Sequence, residues 1–209
     1  PYLTYVLLGD SEMAEGSQWE ALEIAAYYRL DNLIGILDVN RLGQRGPTMY
    51  GHDTAEYERR IAAFGWETVV IKDGHAFPEV LAAYDQALTV AEKPVMIIAR
   101  TLKGKGVSFI EDREGWHGKA LTQEEFARAL PELGEVDHAL RGDILRPEDL
   151  KPRETVPRDA AKISYPPDKP VATRTAYGNA LVRLFPQFPQ MVSLDGEVSN
   201  STMAEVFRK

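Results

Sequence analysis

The sequence of 209 residues contains no cysteine. Disulfide bonds and thiolate chemistry are therefore excluded, and a chain without cysteine fits a reducing cytoplasm. Long apolar runs are missing as well, since none reaches the roughly 18 residues that a membrane span needs. The N-terminus also lacks the basic segment followed by an apolar one that marks a signal peptide. These absences predict a cytoplasmic protein.

Positive charge is also scarce. The chain has 24 Lys and Arg residues against 32 Asp and Glu residues, which gives a formal net charge of -8 at pH 7. Nucleic acids and anionic membranes bind clustered positive charge, so this balance makes both of them poor partners. Any phosphate group bound here must be held by local groups rather than by the general field of the protein.

The length suffices for one sizeable core, or for one domain and the start of another. The chain begins at Pro1 without Met and runs directly into a strand-like stretch. It stops at Lys209, where a helical pattern is under way. We therefore expect an internal piece of a longer protein.

Apolar periodicity predicts strands that alternate with helices. The strand-like runs are 2–8, 33–39, 68–71 and 95–99, and the helical patterns are 17–30, 54–64 and 78–89. The second run is almost continuously apolar, as expected of a strand covered on both faces. Ser17 is the expected cap of the first helix. This alternation predicts an α/β fold, with a parallel sheet, helices on both of its faces and right-handed crossovers.

Proline marks a boundary in the chain. Seven of the 13 prolines lie between 131 and 170, mixed with charged residues, and this composition predicts a linker. The predicted parts are a first domain incomplete at its N-terminus (1–130), the linker (131–171) and the incomplete beginning of a second, similar α/β domain (172–209). The predicted elements around the linker are a short helix near 124–130, a helix at 175–184 and a strand at 190–194.

Two polar residues follow strand-like runs. Asp10 stands after the first run and Asn40 after the second. Because ligands bind beyond the carboxyl ends of parallel strands, a strand–helix–strand unit would bring both side chains to one edge of the sheet. A carboxylate and an amide oxygen form an incomplete, oxygen-only donor set, of the kind that magnesium completes with water and phosphate oxygens. A turn or helix-cap role for either residue is the alternative.

Several stretches, in a fixed order, resemble the transketolase family of thiamine-diphosphate-dependent enzymes. The family's diphosphate motif opens with Gly-Asp-Gly and closes with Asn, and here it corresponds to the segment from Gly9 to Asn40. The matching stretches are 9–21, 30–33, 38–44, 101–106, 116–119, 172–178 and 194–202. The motif usually has Gly where this chain has Ser11, and a turn that needs a positive φ would strain serine there. The resemblance covers nearly the whole chain outside the proline-rich segment.

The resemblance implies a thiamine-diphosphate-binding fold that also holds magnesium, or calcium or manganese in its place. The implied metal ligands are the side chains of Asp10 and Asn40 and the backbone carbonyl of Leu42. Ser11 would contact the diphosphate through its backbone N–H group. Glu15 would bind in the cofactor region, deep in the site at a subunit contact, and a capping or solvated glutamate is the alternative.

Basic residues supply the other implied roles in the first domain. The resemblance implies that His117 is the catalytic histidine facing the cofactor, in a glycine-flanked loop where an imidazole could move protons. It places Lys103 near the cofactor and Lys119 against the sugar-phosphate donor. Without the resemblance, a lone histidine is more often structural and such lysines belong to the surface. We expect His52 and His75 to be structural.

Two residues beyond the linker complete the implied site. The resemblance assigns Arg174 and Ser201 to the phosphate at the far end of the sugar substrate. Arginine suits this role because its planar fork donates two hydrogen bonds to phosphate oxygens. A solvated helix cap is the alternative for Arg174. Glu197 stands where the family usually has an acidic residue near the cofactor of the partner subunit.

The implied enzyme is a transferase of the pentose phosphate pathway. It moves a two-carbon ketol unit from a ketose phosphate to an aldose phosphate through a carbanion on thiamine diphosphate. The family's activating glutamate lies beyond Lys209 and several of its histidines lie before Pro1. We therefore expect this chain alone to be inactive, and to work in a homodimer or with the remainder of a longer or split transketolase. The alternatives are a 2-oxo acid dehydrogenase component, a deoxyxylulose-phosphate synthase or a non-catalytic transketolase-like binding fragment.

Overall fold

The structure of the protein is a computed structural model. It describes residues 2–135, 137–139, 141–142, 148–149, 151, 154–162 and 164–208. The chain divides into two compact units, Pro1–Leu140 and Arg141–Lys209, which we call the first and second unit. This division falls inside the segment predicted as a linker, and Pro147 and Pro152 of that segment lie outside the described residues.

A four-stranded parallel sheet forms the centre of the first unit. The strands described in this unit are β1 (Thr4–Gly9), β2 (Leu33–Val39), β3 (Leu42–Gly43), β4 (Gly46–Pro47), β5 (Glu67–Ile71) and β6 (Val95–Arg100). The order across the sheet is β1-β2-β6-β5, and each neighbouring pair is parallel. Strands β3 and β4 form a separate small antiparallel hairpin. The parallel sheet predicted from the alternating pattern is confirmed.

Helices follow the strands as the periodicity predicts. The helices of the first unit are α1 (Gly16–Tyr27), α2 (Thr54–Ala63), α3 (Phe77–Ala87) and α4 (Gln123–Leu133). The prediction that Ser17 caps α1 is wrong, because the helix already begins at Gly16 and Glu15 holds the N-cap position with extended dihedrals. Helix α1 also ends earlier than predicted, since Arg29 takes a positive φ of 50°.

Two apolar clusters cover the two faces of the sheet. On one face, residues of α1 and α2 such as Leu22 and Ile61 pack against buried side chains of β2 and β6, among them Leu37. On the other face, Ala83 and Ala87 of α3 pack against buried side chains of β2, β5 and β6. Helices therefore cover both faces of the sheet, and the predicted architecture is confirmed.

Strand register decides which residues meet at the carboxyl edge of the sheet. Gly9 of β1 pairs with Asp38 of β2, and Val39 of β2 pairs with Arg100 of β6. The residues that follow these strands, among them Asp10 and Asn40, therefore emerge side by side.

The described helices of the second unit are α5 (Thr173–Leu184), α6 (Ser199–Thr202) and a short 3-10 helix (Ala204–Arg208). The strand predicted at 190–194 is wrong, because these residues are described and lie outside every helix and strand. A strand requires a hydrogen-bonded neighbour, and the described part of this unit offers none. Val192 and Leu194 are accordingly 78% and 95% exposed. Nowhere in the described chain is there a helix long and apolar enough to cross a membrane.

Candidate functional site

A cavity of about 560 Å³ opens at the carboxyl edge of the sheet, within the first unit. Its lining residues are Gly9, Asp10, Ser11, Glu12, Glu15, Asn40, Leu42, Gln44, Lys103 and His117. All the residues predicted to bind the cofactor or the metal are in this set. We call Asp10, Asn40 and Leu42 the strand-end wall of the cavity, and Lys103 and His117 the loop wall.

Asp10 is a buried carboxylate with only 3% of its surface exposed. Its Oδ2 atom accepts hydrogen bonds from the Arg41 N–H group at 2.7 Å and from the Thr48 hydroxyl at 3.0 Å. Arg41 reaches this position through a left-handed turn with a φ of 65°, and its guanidinium pairs with Asp112 at 2.6 Å. The chain after β2 is therefore folded back over the carboxylate.

The pKa of the Asp10 carboxyl is raised above its ordinary value of 3.8. Burial is the largest cause, and the nearby negative charge of Asp38 acts in the same direction, while the bonds from Arg41 and Thr48 oppose both. Among the described residues, no lysine or arginine forms an ion pair with Asp10. The site thus holds a desolvated carboxylate that a bound cation would stabilise.

Asn40 is the second buried polar residue of the strand-end wall, with 8% of its surface exposed. Its amide nitrogen donates to Asp38 Oδ2 at 2.9 Å, and its Oδ1 atom accepts from the Leu42 N–H group at 3.1 Å. Leu42 itself lies in β3 and is buried. The residues that follow β2 therefore bring an amide and the Leu42 peptide group to the same edge of the sheet as Asp10.

The strand-end wall suits a divalent metal in its donor chemistry. The hydrogen bonds from Arg41 and Thr48 both go to Asp10 Oδ2, and the backbone of Ser11 is a further donor to the same carboxylate. Carboxylate, amide and carbonyl oxygens are the hard ligands that magnesium prefers. In the described part of the chain, no three His, Asp or Glu side chains cluster closely enough to hold a metal by themselves. Such a wall could hold a metal that also takes oxygens from a phosphorylated ligand.

Ser11 and Glu15 lie at the mouth of the cavity. Ser11 has a φ of -68° and a ψ of -30°, ordinary helical values, so serine occupies this position of the motif without strain. Glu15 occupies the N-cap position of α1, yet its side chain makes no capping hydrogen bond. Glu15 is thus a lining residue of the cavity whose carboxylate does not cap the helix.

The loop wall carries basic side chains, in contrast to the oxygen ligands of the strand-end wall. The ammonium group of Lys103 lies 3.2 Å from His117 Nδ1, which accepts its hydrogen bond. His117 is exposed, and the glycines on either side of its loop, Gly115 and Gly118, have positive φ values of 84° and 68°. This wall brings a lysine side chain and an imidazole to the cavity, the groups that attract phosphate and move protons.

Lys119 does not line the cavity. Its ammonium group sits 4.1 Å from the centre of the Trp116 ring, in a cation–π contact. Trp116 in turn meets the edge of Phe109, with the ring centres 5.9 Å apart. The predicted contact of Lys119 with substrate stays a prediction.

The two predicted phosphate anchors of the second unit are both exposed. Arg174 lies in the first turn of α5, and Ser201 lies in the short helix α6. The Ser201 N–H group donates to the Val198 carbonyl at 2.9 Å. Their predicted contacts with substrate remain predictions.

The structural roles expected of His52 and His75 stay predictions, and each imidazole makes a hydrogen bond just before the loop wall. His52 Nε2 donates to the Thr101 carbonyl at 2.9 Å, while His75 Nε2 accepts from the Leu102 N–H group at 2.8 Å. The two imidazoles therefore fasten opposite sides of one peptide group, just before Lys103. Each histidine lies far from this peptide in sequence, so periodicity and spacing gave no signal of the arrangement.

A cavity lined by oxygen ligands and a basic loop, at the carboxyl edge of a parallel sheet, defines a cofactor-binding α/β domain. Comparison with known proteins identifies the domain further. A family model described as "Transketolase, thiamine diphosphate binding domain" matches residues 2–144. The chain belongs to the transketolase family, and these residues form its thiamine-diphosphate-binding domain.

Individual relatives agree with the family model. Transketolase of Homo sapiens is 40% identical over the whole of this chain, which spans 33% of that protein. A Campylobacter jejuni transketolase structure is 32% identical, with a TM-score of 0.58 over 64% of this chain and 21% of its own. A Pichia stipitis transketolase variant, solved with fructose 6-phosphate, is 30% identical, with a TM-score of 0.57 over 63% of this chain and 19% of its own. The chain therefore spans about a third of the length of its full-length relatives.

Proposed function

We propose that this chain supplies the residues that bind the metal and the cofactor diphosphate in a transketolase active site, which we call the metal and diphosphate grip. The observation that carries the proposal is the strand-end wall, a buried carboxylate and amide at adjacent strand ends in a domain of this family. Asp10 and Asn40 hold magnesium through side-chain oxygens, and Leu42 holds it through its carbonyl. Calcium or manganese would fit the same hard ligands. The metal offsets the charge of the diphosphate, which an acidic chain with net charge -8 does not offset by itself.

Four further residues act on the cofactor in this proposal. The Ser11 N–H group contacts the diphosphate, and the Lys103 ammonium adds positive charge from the loop wall. His117 donates or accepts a proton at its exposed ring nitrogen, since Nδ1 is bonded to Lys103. Glu15, whose carboxylate is free of any capping role, lies at the subunit contact. Thiamine diphosphate supplies the electron sink needed to break a carbon–carbon bond beside a ketose carbonyl.

The whole protein, in this proposal, transfers a two-carbon ketol unit from a ketose phosphate to an aldose phosphate. The Pichia stipitis relative solved with fructose 6-phosphate supports a sugar phosphate as the substrate class. Lys119, Arg174 and Ser201 are assigned to the sugar phosphate. This activity belongs to the pentose phosphate pathway, and we assign the protein to the cytoplasm as a homodimer. The predicted bounds of the diphosphate domain, linker and second domain, 1–130, 131–171 and 172–209, stay a proposal, while helix α4 continues to Leu133 and the family model extends to residue 144.

Thermal unfolding with and without ligands tests the grip directly. The melting temperature should rise only when thiamine diphosphate and magnesium are present together. Ligand at a hundredfold excess over Kd stabilises a protein by about 2.7 kcal/mol, which corresponds to roughly 5–10 °C for a domain of this size. The same increase with either ligand alone, or none with both, would sink the proposal. Ketol transfer is then tested on the full-length protein, with a ketose phosphate donor and an aldose phosphate acceptor.

A further inference from the structure

Asp38 lies one residue before the end of β2 and is half-buried. Its two carboxylate oxygens have different partners. Oδ2 accepts the hydrogen bond from the Asn40 amide nitrogen at 2.9 Å, and Oδ1 accepts the hydroxyl of Thr101, the residue that follows β6. One side chain thus joins the ends of two neighbouring strands beneath the strand-end wall.

The bond to Asn40 decides which end of the amide is available to a metal. An amide can turn over, exchanging its oxygen with a nitrogen of similar size, and only the oxygen binds a cation. In the observed orientation the nitrogen donates to Asp38 and the oxygen accepts from the Leu42 N–H group at 3.1 Å. Turning the amide over would set an oxygen against a carboxylate and a donor against a donor. Asp38 therefore selects the orientation that a metal ligand needs.

The bond to Thr101 reaches the other wall of the cavity. Thr101 donates its N–H group to the Val39 carbonyl at 3.1 Å, in addition to its hydroxyl bond with Asp38. Two residues further on, Lys103 lines the cavity and contacts His117. A carboxylate at position 38 is consequently bonded to the segment that carries the loop wall as well as to a residue of the strand-end wall.

We propose that Asp38 is a positioning residue of the cofactor site. One carboxylate oxygen holds the Asn40 amide with its oxygen available to the metal, and the other fastens the segment that leads to Lys103. The inference rests on the proposed function, since it assumes that Asn40 binds the metal. Asp38 makes its contribution through its acceptor atoms, without touching the cofactor or the substrate.

The test is a magnesium titration at saturating thiamine diphosphate, read as the melting temperature of the whole chain. Asp38→Ala removes both acceptors, and we expect it to raise the magnesium concentration for half-maximal stabilisation by about tenfold or more, as losses around metal ligands do. Asp38→Asn can still accept from Asn40 through its oxygen and donate to a rotated Thr101 hydroxyl. We expect it to stay within about threefold of the parent chain. If Asp38 acted only through its negative charge, Asp38→Ala and Asp38→Asn would lose affinity for magnesium equally.

A second pair of variants keeps the carboxylate and covers failure of Asp38→Ala to fold. Thr101→Val removes the hydroxyl, and we expect it to raise the magnesium midpoint by about threefold to tenfold, whereas Thr101→Ser should match the parent. Equal midpoints for Thr101→Val and Thr101→Ser, or an Asp38→Ala midpoint equal to the parent's, would overturn the inference. A parent chain that shows no stabilisation by magnesium and thiamine diphosphate would instead overturn the proposed function.

Discussion

The two walls of the cavity are held in different ways. Asp10 and Asn40 on the strand-end wall are almost fully buried; Asp10 accepts hydrogen bonds from a neighbouring segment, and Asn40 is held by Asp38 and Leu42 on its own segment. On the loop wall, His117 is exposed and lies between glycines with positive φ values. Buried, bonded groups keep one geometry, while an exposed loop with few contacts opens at low cost in free energy.

This difference separates two tasks. A metal ligand set needs fixed distances, which the sheet and its register provide. A residue that moves protons must meet a ligand that enters and leaves, and a loop permits this. We therefore expect changes on the strand-end wall to alter binding, and changes on the loop wall to alter turnover.

The largest expected effect follows substitution of the buried carboxylate. Asp10→Asn removes the charge that attracts the metal, and we expect the joint stabilisation by thiamine diphosphate and magnesium to disappear. Thermal unfolding with both ligands measures it, and Asp85→Asn on the exposed side of α3 is the matched control. A variant that retains the full ligand-dependent increase would remove Asp10 from the metal site.

Without ligands, we expect the same substitution, Asp10→Asn, to stabilise the folded chain. Because burial raises the pKa of Asp10, the folded chain binds this proton more tightly than the unfolded chain does. The contribution of Asp10 to the free energy of unfolding is therefore greatest below pH 3.8 and falls as the pH rises through the raised pKa. Asp10→Asn should increase the melting temperature of the ligand-free chain at neutral pH.

A pH series from acidic to neutral buffer checks the sign. The difference in melting temperature between Asp10→Asn and the parent chain should shrink as the pH falls towards 3.8. An advantage that grows with acidity, or a variant less stable than the parent at neutral pH, would contradict this account of the carboxylate.

The next largest expected effect is on the free energy of unfolding. It concerns two glycines of the segment that forms the loop wall, Gly104 at its base and Gly118 at its tip. Gly104 and Gly118 both have positive φ values, 72° and 68°, so alanine at either position costs about 1 kcal/mol in backbone strain. A methyl group at Gly104 would also lie 2.9 Å from a side-chain carbon of Ile110, whereas Gly118 has open space. Urea unfolding should show a clearly larger loss for Gly104→Ala than for Gly118→Ala. Equal losses in the free energy of unfolding would mean that the base of the loop accommodates a methyl group as easily as its tip.

The smallest expected effect on stability belongs to His117→Ala. An exposed side chain away from the core changes the free energy of unfolding by no more than about 0.5 kcal/mol. Cofactor-dependent stabilisation should persist, while ketol transfer by the full-length protein should fall by about 100-fold or more, as for loss of an acid–base group. Loss of binding together with activity would show that His117 belongs with the metal grip.

Local pattern predicted much of the fold and of the strand-end wall. The bounds of β2 match the prediction at both ends, because an apolar run covered on both faces has a sharp signal. Asp10 and Asn40 follow from strand ends and parallel topology, and the order of motifs identified the family. The predicted strand at 190–194 failed, because pairing depends on a neighbour that apolar pattern does not reveal.

Contacts between distant parts of the chain were beyond prediction. Thr101 meets Asp38 across 63 positions, and His52 meets Thr101 across 49. Neither contact leaves a periodic signal, since the first depends on the register of β2 against β6 and the second joins the loop before α2 to the end of β6. The sequence did not decide whether the backbone at Ser11 is strained. Its φ of -68° shows that it is not.

The position of a bound metal tests the central claim most directly. Crystals of the chain grown with thiamine diphosphate and manganese would give an anomalous scattering peak at the metal. We expect one peak about 2.0–2.3 Å from a carboxylate oxygen of Asp10, Asn40 Oδ1 and the Leu42 carbonyl oxygen. A peak bound elsewhere in the cavity, or cofactor bound with no metal at these three oxygens, would contradict the claim that the strand-end wall is the metal and diphosphate grip.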